Sequence, residues 1–160
     1  MNERQEAGPG LLLALDYHFT RTFGAQLSAT HVWSGIIPKQ PNTSGDISIL
    51  NPIPGRITFV TARATMQPRR SNYYLALGPT YMRRSGKAWD DPVWTDLSDP
   101  GLSAGFGIRA RITPEWQFNI GVDAHMYRSD PDEEAGTYFQ RRMQRDILIS
   151  IGVPYALMGR

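Results

Sequence analysis

The sequence contains no cysteine, which excludes disulfide frameworks, zinc sites built on thiolates and thiol catalysis. It also lacks any run approaching the roughly 18 consecutive apolar residues that predict a membrane-spanning helix. Basic residues (17) and acidic residues (15) nearly balance and are dispersed along the chain, so no basic stripe for nucleic acid emerges. At 160 residues the composition is compatible with one domain, which we assign to 1–160.

The N-terminal segment Met1–Gly10 has two glutamates and no apolar core, and Leu11–Leu15 is too short for the apolar part of a signal peptide. We therefore expect residues 1–10 to form a residual loop or a disordered N-terminus. Either an export signal precedes the sequence given or the chain is not exported.

Regular alternation of apolar and polar residues is the main feature of the sequence, and it is clearest in Leu102–Arg128. One apolar face runs from Ala104 to Ile112 and a second from Phe118 to Met126, with Thr113-Pro114-Glu115 between them. Such alternation predicts two strands of a hairpin. Each run is about ten residues, roughly twice the usual globular strand and close to what a tilted strand needs to cross a bilayer.

Five further stretches alternate in the same way, giving seven predicted strands. The additional stretches are Leu11–Phe19, Gln26–Trp33, Arg56–Met66, Tyr73–Met82 and about Tyr138–Tyr155. The connections between strands alternate between short turns and long polar segments, the latter being Ser34–Gly55, Arg83–Gly101 and Ser129–Gly136. Short turns on one rim and long loops on the other are typical of bacterial outer-membrane barrels.

With these features the chain resembles the small eight-stranded bacterial outer-membrane β-barrels, the OmpA-like and OmpX-like class, from Gly10 to Tyr155. Its C-terminal segment also resembles the insertion signal read by the barrel-assembly machinery. The residues that match this pattern are Ser150, Gly152, Tyr155 and Leu157. The fold we predict is all-β, an antiparallel up-and-down transmembrane β-barrel with seven of an expected eight strands.

The resemblance implies a Gram-negative outer membrane, with the lipid bilayer and lipopolysaccharide as surroundings and the barrel-assembly machinery as a partner during insertion. Because single-chain bacterial barrels have an even number of strands, the first strand is the one we expect to be missing. We then expect strands Leu11–Phe19 and Gln144–Tyr155 to pair directly, to flank a gap, or to be bridged by a partner chain that completes the barrel.

The inward face predicted by alternation carries charged residues that could neutralise one another. Three arginines face three aspartates, and two histidines are available to join them. The predicted network consists of Asp16, Arg63, Arg109, Arg111, Asp123, Asp146, His18 and His125. Because eight strands leave an interior just wide enough for side chains, we expect a charge-paired plug rather than a channel. The alternative is that these charges are solvated at the rims, Asp16 and Arg111 above all.

The predicted function is that of a non-enzymatic outer-membrane barrel whose long loops carry any binding or adhesive role, without cofactor or metal. His31 with Ser34 is the candidate pair for a lipid-modifying enzyme, but no carboxylate lies in a matching context. The arginine pairs 69–70, 83–84 and 141–142 are interpreted as rim charges. The alternative function is a soluble lipocalin-like carrier of a small hydrophobic ligand, whose apolar face would point inward.

Overall fold

A computed structural model describes residues 4–5, 7–37, 39–41, 47–49, 53–86, 98–113, 116–129, 142–153 and 155–158. Every regular element in these ranges is a β-strand, and none of them contains a helix that could cross a membrane. The strands are β1 (Arg4–Gln5), β2 (Gly10–His18), β3 (Phe23–Ile37), β4 (Lys39–Pro41), β5 (Ile47–Ile49), β6 (Ile53–Met66), β7 (Tyr73–Ser85), β8 (Ser98–Arg111), β9 (Gln117–Ser129), β10 (Arg142–Gly152) and β11 (Tyr155–Met158).

Seven of these strands form an antiparallel up-and-down sheet that curls into a half-barrel, which confirms the predicted strand number and topology. Their order is β2-β3-β6-β7-β8-β9-β10, so each strand pairs with its neighbour in the chain apart from the small β4–β5 hairpin. We call the edge with the short connections 19–22, 67–72 and 112–116 the turn rim. The opposite edge, where β3, β7 and β9 end, is the loop rim.

The two outer strands of the sheet, β2 and β10, run in the same direction and meet at the turn rim. The chain continues from β10 into β11, which pairs in parallel with β2, from Tyr155 opposite Leu15 to Met158 opposite His18. Nearer the loop rim a cleft lies between β10 and the N-terminal segment, β3 and β6. Among the described residues, the predicted strands Leu11–Phe19 and Gln144–Tyr155 therefore pair directly at Leu15 and Tyr155, and β11 continues this pairing to the turn rim. No eighth strand comes from the described parts of 34–55.

The distribution of apolar residues is inverted relative to a soluble barrel. Eight large apolar side chains on β7, β8, β9 and β10 are all exposed, from 40% for Ile120 to 78% for Ile149. They are Leu75, Leu77, Phe106, Ile108, Ile120, Val122, Ile149 and Ile151. Among the described residues, buried polar or charged side chains outnumber buried hydrophobic ones by fifteen to seven. Alternation along each strand therefore places apolar groups outside and polar groups inside.

Several strands are longer than the sequence predicts. β3 continues to Ile37 and β6 already begins at Ile53, because Ile36 pairs with Ile53 inside the segment expected to be a connection. β8 likewise begins at Ser98. Arg4–Gln5, expected in a loop or disordered segment, pairs with the end of β3. Within the same segment, β4 and β5 pair with each other, with Lys39 opposite Ile49 and Pro41 opposite Ile47.

Two turns at the turn rim are built by threonine side chains. Thr20 Oγ1 accepts hydrogen bonds from the backbone N–H groups of Thr22 (3.1 Å) and Phe23 (2.9 Å). Thr113 Oγ1 accepts one from the N–H of Trp116 at 3.0 Å. Such local bonds satisfy donors that the strand ladder leaves unpaired. In both places a threonine follows an apolar residue just after the end of a strand, and an exposed aromatic, Phe23 or Trp116, follows three positions later.

Candidate functional site

The interior near the turn rim contains a buried cluster of charged and amide side chains, which we call the charge network. At its centre Arg63 of β6 forms an ion pair with Asp123 of β9 through Nη1 and Oδ1. The same guanidinium donates through Nε (3.1 Å) and Nη2 to the side-chain oxygen of Gln26 on β3. Arg63 is 5% exposed and Asp123 is 5% exposed, so this pair is shielded from solvent.

A second ion pair is linked to the first through Gln26. Gln26 Nε2 donates to Asp16 Oδ1 at 2.9 Å, and Arg109 Nη2 of β8 reaches the same oxygen at 3.2 Å. The Arg109 guanidinium also stacks over the Tyr74 ring, 4.4 Å from its centroid. Asp16, Gln26, Arg63, Arg109 and Asp123 therefore form one continuous arrangement from β2 to β9.

Glycines on β8 and β9 provide the space for these large side chains. A Cβ at Gly105 would collide with Asp123 Oδ1 and lie 2.8 Å from Arg63 Nη1. At Gly107 and Gly121 it would lie 2.7 Å and 2.6 Å from atoms of the Tyr74 side chain. The small inward residues are thus complementary to the arginines and tyrosine opposite them and leave no room for a larger side chain at these three positions.

Four of the eight predicted network residues, Asp16, Arg63, Arg109 and Asp123, are brought together in this way. Asp16 is 1% exposed, contrary to the rim alternative. Arg111 does not belong to the network: it is exposed at the last position of β8, where the sheet ends and the side chain reaches solvent.

The remaining predicted network residues lie elsewhere in the interior. His125 stacks on Phe59, with ring centroids 4.3 Å apart, and its Nδ1 lies 3.2 Å from Thr80 Oγ1. His18 is partly buried at the end of β2. Asp146 accepts a hydrogen bond from the Tyr127 hydroxyl at 2.6 Å. These residues therefore lie outside the ion-paired chain.

Arg84 was interpreted as a rim charge, and this is wrong. It is 4% exposed, donates from Nη2 to the Tyr127 hydroxyl at 2.7 Å and lies over the Tyr127 ring. Tyr127 in turn donates to Asp146, so the hydroxyl connects a buried cation to a carboxylate. Every second residue of β7 faces inward, including Thr80, Met82 and Arg84. This alternation in the sequence could therefore have predicted that Arg84 is buried.

Nearer the loop rim the interior contains a cluster of apolar side chains beside Arg84 and Asp146. Ile57, Phe59, Met82 and Tyr127 form a buried cluster, with Leu148 of β10 packed against it; we call these five residues the apolar cluster. Beside it lies a cleft of about 310 Å³, bounded by the N-terminal segment, β3, β6 and β10. Its lining residues are Ala7, Gly8, Val32, Ser34, Ile57, Phe59, Arg145, Asp146, Ile147 and Leu148. The sequence analysis did not predict this cleft, because it forms between segments distant in the chain.

The residues considered for a lipid-modifying enzyme or for a metal site do not come together in the described parts of the structure. Ser34 is buried on the inner face of β3, whereas His31 is partly exposed on the other face and bonds to Thr58 Oγ1 at 2.9 Å. The proposed His31–Ser34 pair is therefore separated by the strand itself. Within the described ranges, no three His, Asp or Glu side chains come close enough to hold a metal ion together.

The proposed insertion signal spans the end of the chain. Ser150 and Gly152 lie on β10, and Tyr155 and Leu157 lie on β11, which pairs with β2. Comparisons of the chain with protein-family models, curated proteins and solved structures find no match. The likeness to outer-membrane barrels therefore rests on the residues and the architecture of this chain.

Proposed function

We propose that this protein is an integral outer-membrane β-barrel protein of a Gram-negative bacterium, non-enzymatic, with its interior closed by the charge network. Its long connections would carry any binding or adhesive role. The observation that carries the proposal is the apolar outer surface, which extends over all seven strands of the half-barrel. We also propose that the protein belongs to the OmpA-like or OmpX-like class.

The apolar surface is too extensive for a monomer in water. Each of the seven strands contributes a large apolar side chain that is at least 45% exposed, for example Leu13, Leu27, Val60, Leu77, Phe106, Val122 and Ile149. Soluble monomers rarely expose continuous apolar patches beyond a few hundred Å². Contact with hydrocarbon chains would remove the cost of hydrating this surface.

Aromatic side chains border this surface in the manner of interfacial girdles. Phe23 at the turn rim and Trp33 towards the loop rim are exposed on β3, ten positions apart. At about 3.3 Å per residue and a tilt of roughly 40°, ten residues cover about 25 Å along a barrel axis. That height matches the apolar band of outer-membrane barrels.

Exposed arginines lie near both rims, where lipid headgroups would be. Arg56, Arg83, Arg128 and Arg145 are exposed near the loop rim, and Arg21, Arg69, Arg70 and Arg111 near the turn rim. At the loop rim they would face lipopolysaccharide, whose phosphates are suited to guanidinium groups.

The soluble-carrier alternative needs the opposite arrangement of side chains. A lipocalin-like barrel would bury the Ile, Leu and Phe face and expose Arg109, Asn119 and Asp123. In the structure Arg109 is 2% exposed and Asn119 is 6% exposed. The orientation of these side chains weighs against that alternative.

The relation of β2 to β10 also supports a partner in assembly. Both strands run towards the turn rim, and near the loop rim no described strand pairs with their outer edges. In hydrocarbon each unpaired backbone group there would cost several kcal/mol. One strand antiparallel to both, supplied by a partner chain, would satisfy these groups. The C-terminal segment would be read by the barrel-assembly machinery during insertion.

Refolding into lipid tests the location. Unfolded protein diluted from urea into short-chain phosphatidylcholine vesicles should float with the vesicles and become resistant to protease. Dilution into buffer without lipid or detergent should give aggregates. A monodisperse, folded monomer in plain buffer would contradict the proposal.

Conductance tests the closed interior. In planar bilayers the refolded protein should give no large, stable pore, because the charge network fills the interior near the turn rim. The variant carrying both Arg63→Ser and Asp123→Ser should show more frequent conducting events. A steady porin-like current from the wild-type protein would refute the closed interior.

A further inference from the structure

The outer face of the sheet changes character near the loop rim, on β3, β6 and β7. Residues that lie opposite each other on these strands form rows across the sheet, and three such outward rows follow one another towards the rim. The first row holds Ala29, Val60 and Tyr81, the second His31, Thr58 and Arg83, and the third Trp33, Arg56 and Ser85. The outer face therefore passes from apolar side chains to cationic and hydrogen-bonding ones within three rows.

Two arginines are diagonal neighbours in these rows. Arg56 pairs with Ser85 and Arg83 pairs with Thr58, so the two arginines lie one row apart on adjacent strands. Both are exposed, whereas Ile57 beside Arg56 in the chain is buried on the inner face. Diagonal neighbours are about 7–8 Å apart, which long side chains can bridge. Both guanidinium groups can therefore contact the same small anion.

An aromatic side chain is fixed next to the first of these arginines. Trp33, 48% exposed, lies directly opposite Arg56. His31 packs edge-on against the Trp33 ring, with ring centroids 5.1 Å apart, and its Nδ1 lies 2.9 Å from Thr58 Oγ1. The indole is thus supported by a side chain that is itself bonded to β6. Tryptophan is enriched at the boundary between membrane and water, because its ring is apolar and its N–H is polar.

We infer that the surface formed by Trp33, Arg56 and Arg83, which we call the arginine site, binds the phosphomonoester head group of a membrane lipid. This inference rests on the membrane location proposed above, where that lipid would be lipopolysaccharide. A phosphomonoester carries about −1.5 to −2 charges at pH 7, which matches two guanidinium groups, whereas a phosphodiester carries about one. Guanidinium groups also bind phosphate oxygens through paired, parallel hydrogen bonds.

A shared phosphate would also remove a repulsion between the two arginines. Like charges on adjacent strands repel each other, and hydrocarbon beside them strengthens this repulsion because it lowers the local dielectric constant. A doubly charged anion between Arg56 and Arg83 converts the repulsion into attraction to both. One ligand for the pair therefore accounts for its placement better than two separate contacts.

The apolar surface next to the arginine site can hold the hydrocarbon of the same lipid. Val60 and Tyr81 are exposed in the first row, and Leu77 and Leu102 are exposed farther towards the turn rim. Head group and hydrocarbon would then contact one continuous surface. Free phosphate makes only the head-group contacts, so we expect it to bind more weakly than the lipid.

Native mass spectrometry of the protein in a nonionic detergent tests the site. The protein is titrated with dioctanoyl phosphatidic acid, a monoester, and with dioctanoyl phosphatidylglycerol, a diester with the same chains. We expect the monoester to bind at least about fivefold more tightly. Arg56→Gln and Arg83→Gln should each weaken monoester binding about five- to tenfold but diester binding only about twofold, so that the preference is largely lost.

Two further measurements separate this site from general attraction to positive charge. Arg145→Gln, which removes an exposed arginine of β10, is the matched control and should change the affinity for neither lipid. Arg83→Lys keeps the charge without the forked donors, so it should retain diester binding and lose most of the monoester preference. Inorganic phosphate should compete at least about tenfold less well than phosphatidic acid, and equal competition would overturn the assignment to a lipid.

Equal affinities of the wild-type protein for the two lipids would overturn the arginine site, and so would equal losses of binding in Arg145→Gln and Arg56→Gln. The titration in detergent does not require insertion into vesicles. A protein that fails to float with vesicles but distinguishes the two lipids would keep the site and refute the membrane location. One that floats but does not distinguish them would refute the site alone.

Discussion

The turn-rim and loop-rim halves of the interior are filled by different chemistry on the same strands. Near the turn rim, Arg63 and Asp123 pair within a continuous polar arrangement for which small glycines make room. Near the loop rim, Phe59 and Met82 pack in an apolar cluster beside an open cleft. On β6 the change takes place within four residues, from Arg63 to Phe59. One half pairs buried charges, and the other contains a cleft.

The layer between the two halves is made of short polar groups. Thr61 and Thr80 hydrogen-bond to each other at 2.9 Å, and Thr80 lies 3.2 Å from the His125 ring, which stacks on Phe59. His125 thus contacts the apolar cluster with its face and a hydroxyl with its edge. This layer separates the charge network from the cleft, so substitutions on either side should act largely independently.

The largest effect is expected for Asp123→Ala, which leaves Arg63 buried without its anion. We expect a loss of about 3–5 kcal/mol in the free energy of unfolding, measured by urea titration in vesicles. Replacing both partners, with Arg63→Met and Asp123→Leu, should cost much less, because no uncompensated charge remains. Arg111→Ala, which removes an exposed arginine, should change stability by under about 0.5 kcal/mol. Equal losses for Asp123→Ala and Arg111→Ala would show that the network is solvated.

A comparable but smaller loss is expected in the loop-rim half for Phe59→Ala. Removing this buried ring and its stacking on His125 should cost about 3 kcal/mol. Combined with Asp123→Ala, the two losses should add within about 0.5 kcal/mol. A large deviation from additivity in the same urea titrations would show that the two halves form one unit.

Tyr127→Phe should have an intermediate effect. The change keeps the ring in the apolar cluster but removes the hydroxyl that connects Arg84 to Asp146. The expected cost is about 1–3 kcal/mol, since a buried hydrogen-bonding group loses its partner. The single variant Asp146→Asn keeps an acceptor at that position and should be milder. A neutral Tyr127→Phe would contradict the connecting role of the hydroxyl.

The smallest global effect is expected for Gly8→Ala. A methyl group at this position collides with the backbone of Trp33, so the N-terminal segment must move away from β3. We expect under about 1 kcal/mol of global destabilisation but faster hydrogen exchange at the Trp33 amide, which donates to Pro9. Gly152→Ala, where an added Cβ meets nothing within 4 Å, is the control. Unchanged exchange at Trp33 would show that the wall of the cleft is not fixed there.

The sequence correctly predicted which side chains point inward and which point outward, because period-two alternation is a local property of each strand. That pattern placed Asp16, Arg63, Arg109 and Asp123 inside and Ile149 outside. It could not show that Gln26 would connect two ion pairs, or that Arg111 would reach past the end of the sheet. Both depend on register and on where neighbouring strands stop, which a single strand does not encode.

Strand ends and the cleft were missed for a related reason. Gly35 pairs with Pro54, and Ile36 with Ile53, although Pro and Gly locally favour turns. Pairing between β3 and β6 therefore extends both strands beyond the ends that their local sequences favour. The cleft arises where the N-terminal segment, β6 and β10 converge, and that convergence appears once the sheet curls.

A cysteine scan of β9 tests the central claim most directly, since the chain has no cysteine of its own. Spin labels are placed one at a time at positions 120–125 of the protein in vesicles, and their collisions with oxygen and with a water-soluble nickel complex are compared. The account predicts high oxygen and low nickel accessibility at 120, 122 and 124, and low accessibility to both reagents at 121, 123 and 125. High nickel accessibility at 120, 122 and 124 would contradict a lipid-facing surface.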